Sequence, residues 1–244
     1  MRYHKIDGIR GITIISMIMY HACWDLKYLA GMDFNRDLVV SGGPWQLSIC
    51  VSFILISGFC AGLSHLAVRR GILVFACGAL VTLVTVLVLP KDRIVFGVLT
   101  FLGSAMIITG LVRGLLERIN CFAGFFGALV LFFLTYDLKC GYIGLAGFHL
   151  YLPAGLYKGL FATYLGFMDK SFFSTDYFAI IPWLFLFEAG YYLLGIADRT
   201  NFKSFLEKGY MPPLEWLGRH SLLIYLIHQP VLYLVTNLIT TGGN

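Results

Sequence analysis

His21, Asp25, Glu188 and His228 are ionisable side chains that stand inside long apolar runs of this 244-residue chain. Such groups are costly in apolar surroundings and mark chemistry or proton movement. Arg10 stands at the opening of the first run. In Arg10-Gly-Ile-Thr-Ile-Ile-Ser-Met-Ile-Met-Tyr-His21 the two ends are about three helical turns apart. Both side chains therefore leave a helix from nearly one face, roughly 16 Å apart along its axis. A phosphopantetheine arm has a similar length, so phosphates held at Arg10 would bring a thioester to His21. Asp25 follows His21 at i+4, placed to orient the imidazole and stabilise its protonated form. Asp7 lies three residues before Arg10 and can pair with it. An acceptor hydroxyl or amine must lose a proton as it attacks a thioester, and a histidine titrating near neutrality suits that task. The plainer reading makes His21 a hydrogen-bonding partner of a neighbouring helix and Asp25 an interfacial carboxylate.

The last apolar run reads Gly218-Arg-His-Ser-Leu-Leu-Ile-Tyr-Leu-Ile-His-Gln-Pro230. Ser221, Tyr225, His228 and Gln229 fall on one side of a helix, at a depth like that of His21. Pro230 frees a backbone carbonyl there, as irregular helices do beside polar cavities. Tyr225, His228 and Gln229 are candidates for a substrate-lined wall, with Trp183 and Glu188 from another run; an interhelical hydrogen-bond cluster is the alternative. Glu188 has no local partner. Arg69 and Arg70 end the second run and are placed for nucleotide phosphates, as well as for fixing topology.

The elements that must position these groups are membrane helices. Of all residues 59% are hydrophobic and only 13% charged, with a mean hydropathy of +0.81. A soluble fold needs far more polar surface than this to cover its core. Seven runs meet or approach the length of a bilayer-spanning helix: 12–29, 48–68, 72–89, 95–116, 121–136, 178–197 and 221–239. The fold class expected is an all-α polytopic bundle of about seven transmembrane helices, forming one transmembrane domain over residues 1–244. Residues 141–167 are apolar but broken by Pro153 and six glycines, and form an eighth span or a re-entrant or interfacial helix.

A cytoplasmic N-terminus leaves eleven basic residues inside: Arg2, Lys5, Arg10, Arg69, Arg70, Arg113, Arg118, Arg199, Lys203, Lys208 and Arg219. Seven stay outside: Lys27, Arg36, Lys91, Arg93, Lys139, Lys158 and Lys170. That asymmetry predicts a multi-pass protein of the cell (inner or plasma) membrane, surrounded by lipid, with its N-terminus in the cytoplasm. An eighth span would reverse the bias. The first run is longer than a signal-peptide core and has no cleavage site after it, so it reads as a retained helix. The six cysteines lack zinc spacing and read as packing residues, so no metal is expected. No basic stripe interleaved with aromatics suggests nucleic acid.

Asp7-Gly-Ile-Arg10-Gly11, Met-Tyr-His21 and Asp25-Leu26 resemble the N-terminal signature of the bacterial branch of the heparan-alpha-glucosaminide N-acetyltransferase family. The Arg10–His21 spacing is also that of the related acyltransferase-3 membrane enzymes. Four further stretches resemble the family in order and spacing: Ser52–Gly58, Leu80–Thr85, Asp176–Trp183 and Gly218–Pro230. The resemblance implies a transmembrane acyltransferase that takes an acetyl or other short acyl group from acetyl-CoA on the cytoplasmic side. The acceptor, reached from the opposite face, is then a sugar or another hydroxyl or amine compound. Two positions depart from the pattern. Thr100 stands where a histidine is expected. The animal glucosamine enzyme has Asn at the position of His21 and its catalytic His before a Pro-Trp pair, where this chain has Gly42 and Gly43 before Pro44-Trp45. That departure counts against heparan glucosamine as acceptor. The rival readings are a small proton-coupled transporter, in which His21, Asp25, Glu188 and His228 relay protons, and a non-catalytic membrane partner of another enzyme. The sequence leaves open a homo-oligomer, and also the choice between direct transfer and an acyl-enzyme.

Overall fold

The computed structural model describes residues 3–28, 30–31, 39–40, 42–145, 147–200, 202–209 and 211–241. Arg2 and Arg36 of the charge count, and Leu29 at the end of the first expected span, lie outside them. Ten α-helices and one hairpin follow in chain order among the described residues: α1 (His4–Tyr28), α2 (Pro44–Leu63), α3 (Ala67–Val88), α4 (Val98–Leu116), α5 (Cys121–Thr135), β1 (Tyr142–Leu145), β2 (Phe148–Tyr151), α6 (Leu160–Leu165), α7 (Ile180–Arg199), α8 (Phe202–Glu207), α9 (Pro212–Arg219) and α10 (Ser221–Thr241). Six segments are long and apolar enough to cross a membrane: α2, α3, α4, Cys121–Cys140, α7 and α10. α1 is longer still at 25 residues, but carries Lys5, Asp7 and Arg10 near one end and Asp25 and Lys27 near the other. Among the described residues six helices thus meet the length and composition of a span, and α1 is not one of them.

Where an eighth span or a re-entrant or interfacial helix is expected, over 141–167, the described residues form no helix longer than six residues. They fold as the antiparallel β1–β2 hairpin, a short 3-10 turn and the six-residue α6. Helical hydropathy is met here, but Pro153 and left-handed glycines at Gly141, Gly147 and Gly159 break any helix.

The chain divides into two compact units, residues 1–56 with 200–244 and residues 57–199, and the boundary falls within α2. In the first unit α1 packs against α9 and α10. The α1–α9 crossing is built on glycine: a Cβ at Gly11 would lie 2.1 Å from the Leu214 carbonyl oxygen, and one at Gly218 2.0 Å from that of Asp7. Only a bare backbone permits that approach. Ile14, Met17, Tyr20, Val39 and Ile49 form its core, with Trp24, Trp45, Ile224 and Tyr225 packed against them. The Trp45 indole N–H donates to Ser16 Oγ at 2.8 Å, tying α2 to α1.

In the second unit α3 pairs with α4 and α5 with α7. Asn120 caps α5, its side-chain oxygen accepting from the Phe122 amide at 2.9 Å. α4 borrows its cap from a distant loop, Asp176 Oδ2 accepting from the Val98 amide at 3.1 Å. Ile181 is extended, so the regular part of α7 starts at Pro182, where proline's fixed φ suits a first helical turn.

Candidate active site

α1 and α10 bring His21 and His228 together, with ring centroids 5.0 Å apart. α1 and α10 thus supply one imidazole each to the same place. His228 is buried. Its Nδ1 lies 2.6 Å from the Tyr225 carbonyl oxygen, which can only accept, so the proton sits on Nδ1. The lone pair of the neutral ring is then on Nε2, which is buried and has no hydrogen-bond partner among the described residues. Such a nitrogen can accept a proton or a hydrogen bond from a substrate. The Tyr225 ring packs 5.4 Å from that of His228.

Asp25, only 2% exposed, lies one helical turn beyond His21. Its carboxylate oxygens accept from Gln229 Nε2 at 3.2 and 3.3 Å. No hydrogen bond joins Asp25 to His21 among the described residues, so the carboxylate's partner is the amide of α10 rather than the imidazole of α1. Asp25 and Gln229 form a polar tether between the two histidine-bearing helices. The Gln229 Oε1 is buried and without a partner among the described residues.

Three turns down α1, Arg10 Nη1 lies 3.6 Å from Asp7 Oδ1 and donates to the Gly218 carbonyl at 3.4 Å. The i+3 pairing was readable in the sequence. The Gly218 contact depends on the glycine-built crossing of α1 and α9. His4 Nδ1 and Glu215 Oε2, 2.9 Å apart, join the same two helices, and Glu215 Oε1 accepts from the Met211 amide at 2.9 Å.

The remaining candidates belong to the second unit. Arg69 and Arg70 are exposed in the first turn of α3. Glu188, 8% exposed, accepts at Oε1 from the Thr109 hydroxyl at 2.6 Å, while its Oε2 is buried without a partner among the described residues. Thr109 was missed by sequence reasoning, since the partners are 79 positions apart and a threonine inside an apolar run is an unremarkable signal. Trp183 packs against Phe132 and Phe178, at 5.5 and 5.1 Å, and lines a small cleft with Tyr136, Lys139 and Tyr177. Thr100, at the position where the resemblance leads one to expect histidine, is buried at the α3–α4 crossing beside Gly78. No cluster of metal-ligating side chains occurs among the described residues.

A family model described as heparan-alpha-glucosaminide N-acetyltransferase, catalytic, matches residues 2–230. The chain belongs to this family. The heparan-alpha-glucosaminide N-acetyltransferases are enzymes, and together with the apolar helices the match makes the chain a membrane acetyltransferase. The match takes in α1 and the first part of α10, as far as Pro230, and so spans both histidines of the pair. Comparison with curated proteins and with solved structures gives no match.

Proposed function

We propose that this protein moves an acetyl group from acetyl-CoA, bound from the cytoplasm, to an amine or hydroxyl acceptor reached from the other face, a sugar being the leading class. All of residues 1–244 act as one transmembrane acyltransferase domain, with the N-terminus in the cytoplasm. The observation that carries the reading is the His21–His228 pair within a chain of this family. Arg10 binds the phosphates at the inner end of α1; Arg69 and Arg70, at the start of α3, are further candidates for a nucleotide phosphate. Three turns of α1 span the pantetheine arm and bring the thioester to His21.

In the proposed reaction the acceptor nitrogen or oxygen attacks the thioester carbonyl carbon while His21 takes its proton. The new carbon–nitrogen or carbon–oxygen bond forms, the carbon–sulfur bond breaks, and the proton passes to the leaving thiolate. His228 Nε2 accepts a hydrogen bond from the acceptor and orients it. Tyr225 fixes the His228 tautomer through its carbonyl, and the Asp25–Gln229 tether holds α1 and α10 in register. Gln229, Trp183 and Glu188 complete the list of acceptor-side candidates.

A density map of the protein with acetyl-CoA tests the reading. The expected result leaves a place for the acceptor atom about 3–3.5 Å from the thioester carbon and within hydrogen-bond reach of the His21 imidazole. A thioester lying away from both histidines would refute it.

A further inference from the structure

The β1–β2 hairpin and α6 carry the most apolar exposed surface of their loop, and the acetyl-transfer site makes no use of it. Leu145, Phe148, Leu150, Tyr151, Leu160 and Phe161 are all exposed, with Phe148, Tyr151 and Phe161 at 75–76%. Side chains alternate across a strand, so Phe148 and Leu150 leave one face of β2 while His149 and Tyr151 leave the other. One face of the hairpin, with Ile143, Leu145, Phe148 and Leu150, is apolar, and the other carries the polar-tipped rings of Tyr142, His149 and Tyr151. An apolar face backed by such rings suits a medium with a dry and a wet side, the headgroup–acyl boundary of a bilayer.

The position of the hairpin selects that medium. β1 begins at Tyr142, two residues after the membrane-crossing segment Cys121–Cys140 ends, so the hairpin lies at the level where the bilayer meets water. Phe126, Val130, Leu131 and Phe133 of α5, the helix that β1 packs against, are exposed as well. Aromatic side chains are enriched at that level. From Leu138 to Met168 the chain carries Lys139 and Lys158 and no acidic residue, with Asp137 and Asp169 bordering the window. That charge pattern complements phosphate headgroups.

We infer that the β1–β2 hairpin with α6 is a lipid-inserted element, seated at the headgroup–acyl boundary of the leaflet in which α5 ends. The backbone sets its depth. Inside the hairpin Tyr142 pairs with Tyr151 and Leu145 with Phe148, but each strand has a second, open edge. Open edges are not tolerated in hydrocarbon, so the ribbon stays where water and headgroups satisfy them while its side chains reach the acyl chains. Gly144 is required for the ribbon to form, since a Cβ there would lie 1.9 Å from the Phe148 carbonyl oxygen.

The test uses the full chain in vesicles of phosphatidylcholine and phosphatidylglycerol. Leu150→Cys is made with Cys140→Ser, which removes the exposed native thiol, and carries a nitroxide; signal from the Cys140→Ser parent is subtracted. The expected result is collision with dissolved oxygen severalfold more frequent than with a water-soluble nickel chelate. The reverse ratio would overturn the inference by placing the hairpin in water. Low collision with both, rising as the protein is diluted in lipid, would overturn it by showing that a second copy covers the patch. This outcome is independent of acetyl transfer, and so distinguishes failure here from failure of the proposed function.

Discussion

Gly11→Ala tests whether the glycine-built crossing of α1 and α9 sets the geometry of the histidine pair. The new Cβ would stand 2.1 Å from the Leu214 carbonyl oxygen and 2.8 Å from its carbon, whereas ordinary contact begins near 3.4 Å. Both atoms are backbone, so no side-chain rotation relieves the clash and α9 must retreat by about 1 Å. Overpacking of this kind costs about 1–3 kcal/mol, offset by the ~0.5–1 kcal/mol that alanine gains over glycine in a helix. The net expectation is a loss of about 1–2 kcal/mol. α9 ends at Arg219 and α10 begins at Ser221, so a displaced α9 drags the His228 helix with it. A misplacement of about 1 Å can cost ~10²-fold in rate. The assay is thermal unfolding in detergent beside acetyl-CoA turnover, followed as free thiol released. Gly114→Ala is the control, because a Cβ there meets nothing within 4 Å, and it should be neutral or mildly stabilising. Equal melting of the two variants would refute the packing argument. A destabilised Gly11→Ala with unchanged turnover would refute its connection to the histidines.

Arg10→Ala should weaken acetyl-CoA binding by about 1.5–3 kcal/mol, the scale of a hydrogen bond to a charged group; unchanged affinity in calorimetry would remove Arg10 from the donor site. Asp25→Asn should retain an acceptor for Gln229 Nε2 and offer an N–H to the buried Gln229 Oε1, so it should fold normally and lose less turnover than His21→Ala. Asp25→Leu strands the amide and should cost about 1–3 kcal/mol, read as a lower melting midpoint. Asp169 accepts from the Gly159 and Ser171 amides and the Ser171 hydroxyl, and these bonds hold its carboxyl down at about 2. Because the folded value lies below the unfolded one, the stabilisation is fully present above the unfolded pKa and is lost as pH falls through about 2. Proteolytic protection of residues 159–171 should therefore persist at pH 5, and Asp169→Asn should lower it at neutral pH.

Much of the architecture is written in local pattern. Apolar run length marks α2, α3, α4, α5, α7 and α10, because a helix is the only single segment that satisfies its own backbone in lipid. Helical spacing puts Arg10 and His21 on one face, and equal depth in two runs suggests that His21 and His228 can meet. What spacing cannot carry is the choice of partner across helices. Asp25 is one turn from His21, yet its hydrogen bonds go to Gln229, 204 positions away, because the amide of α10 offers two donors to the buried carboxylate. Glu188 finds Thr109 in the same way. Residues 141–167 defeat hydropathy for another reason: their composition suits the membrane interface as a hairpin as well as it suits a span, and only Pro153 and the left-handed glycines tell the two apart.

The central claim is that His21 is the base of acetyl transfer, and His21→Ala tests it most directly when turnover and acetyl-CoA affinity are measured on one purified sample. General-base catalysis contributes about 10²–10⁴-fold. Turnover falling by that factor, with affinity and melting temperature near those of the parent, is the predicted result; near-normal turnover would contradict it and move the search for the base to Glu188.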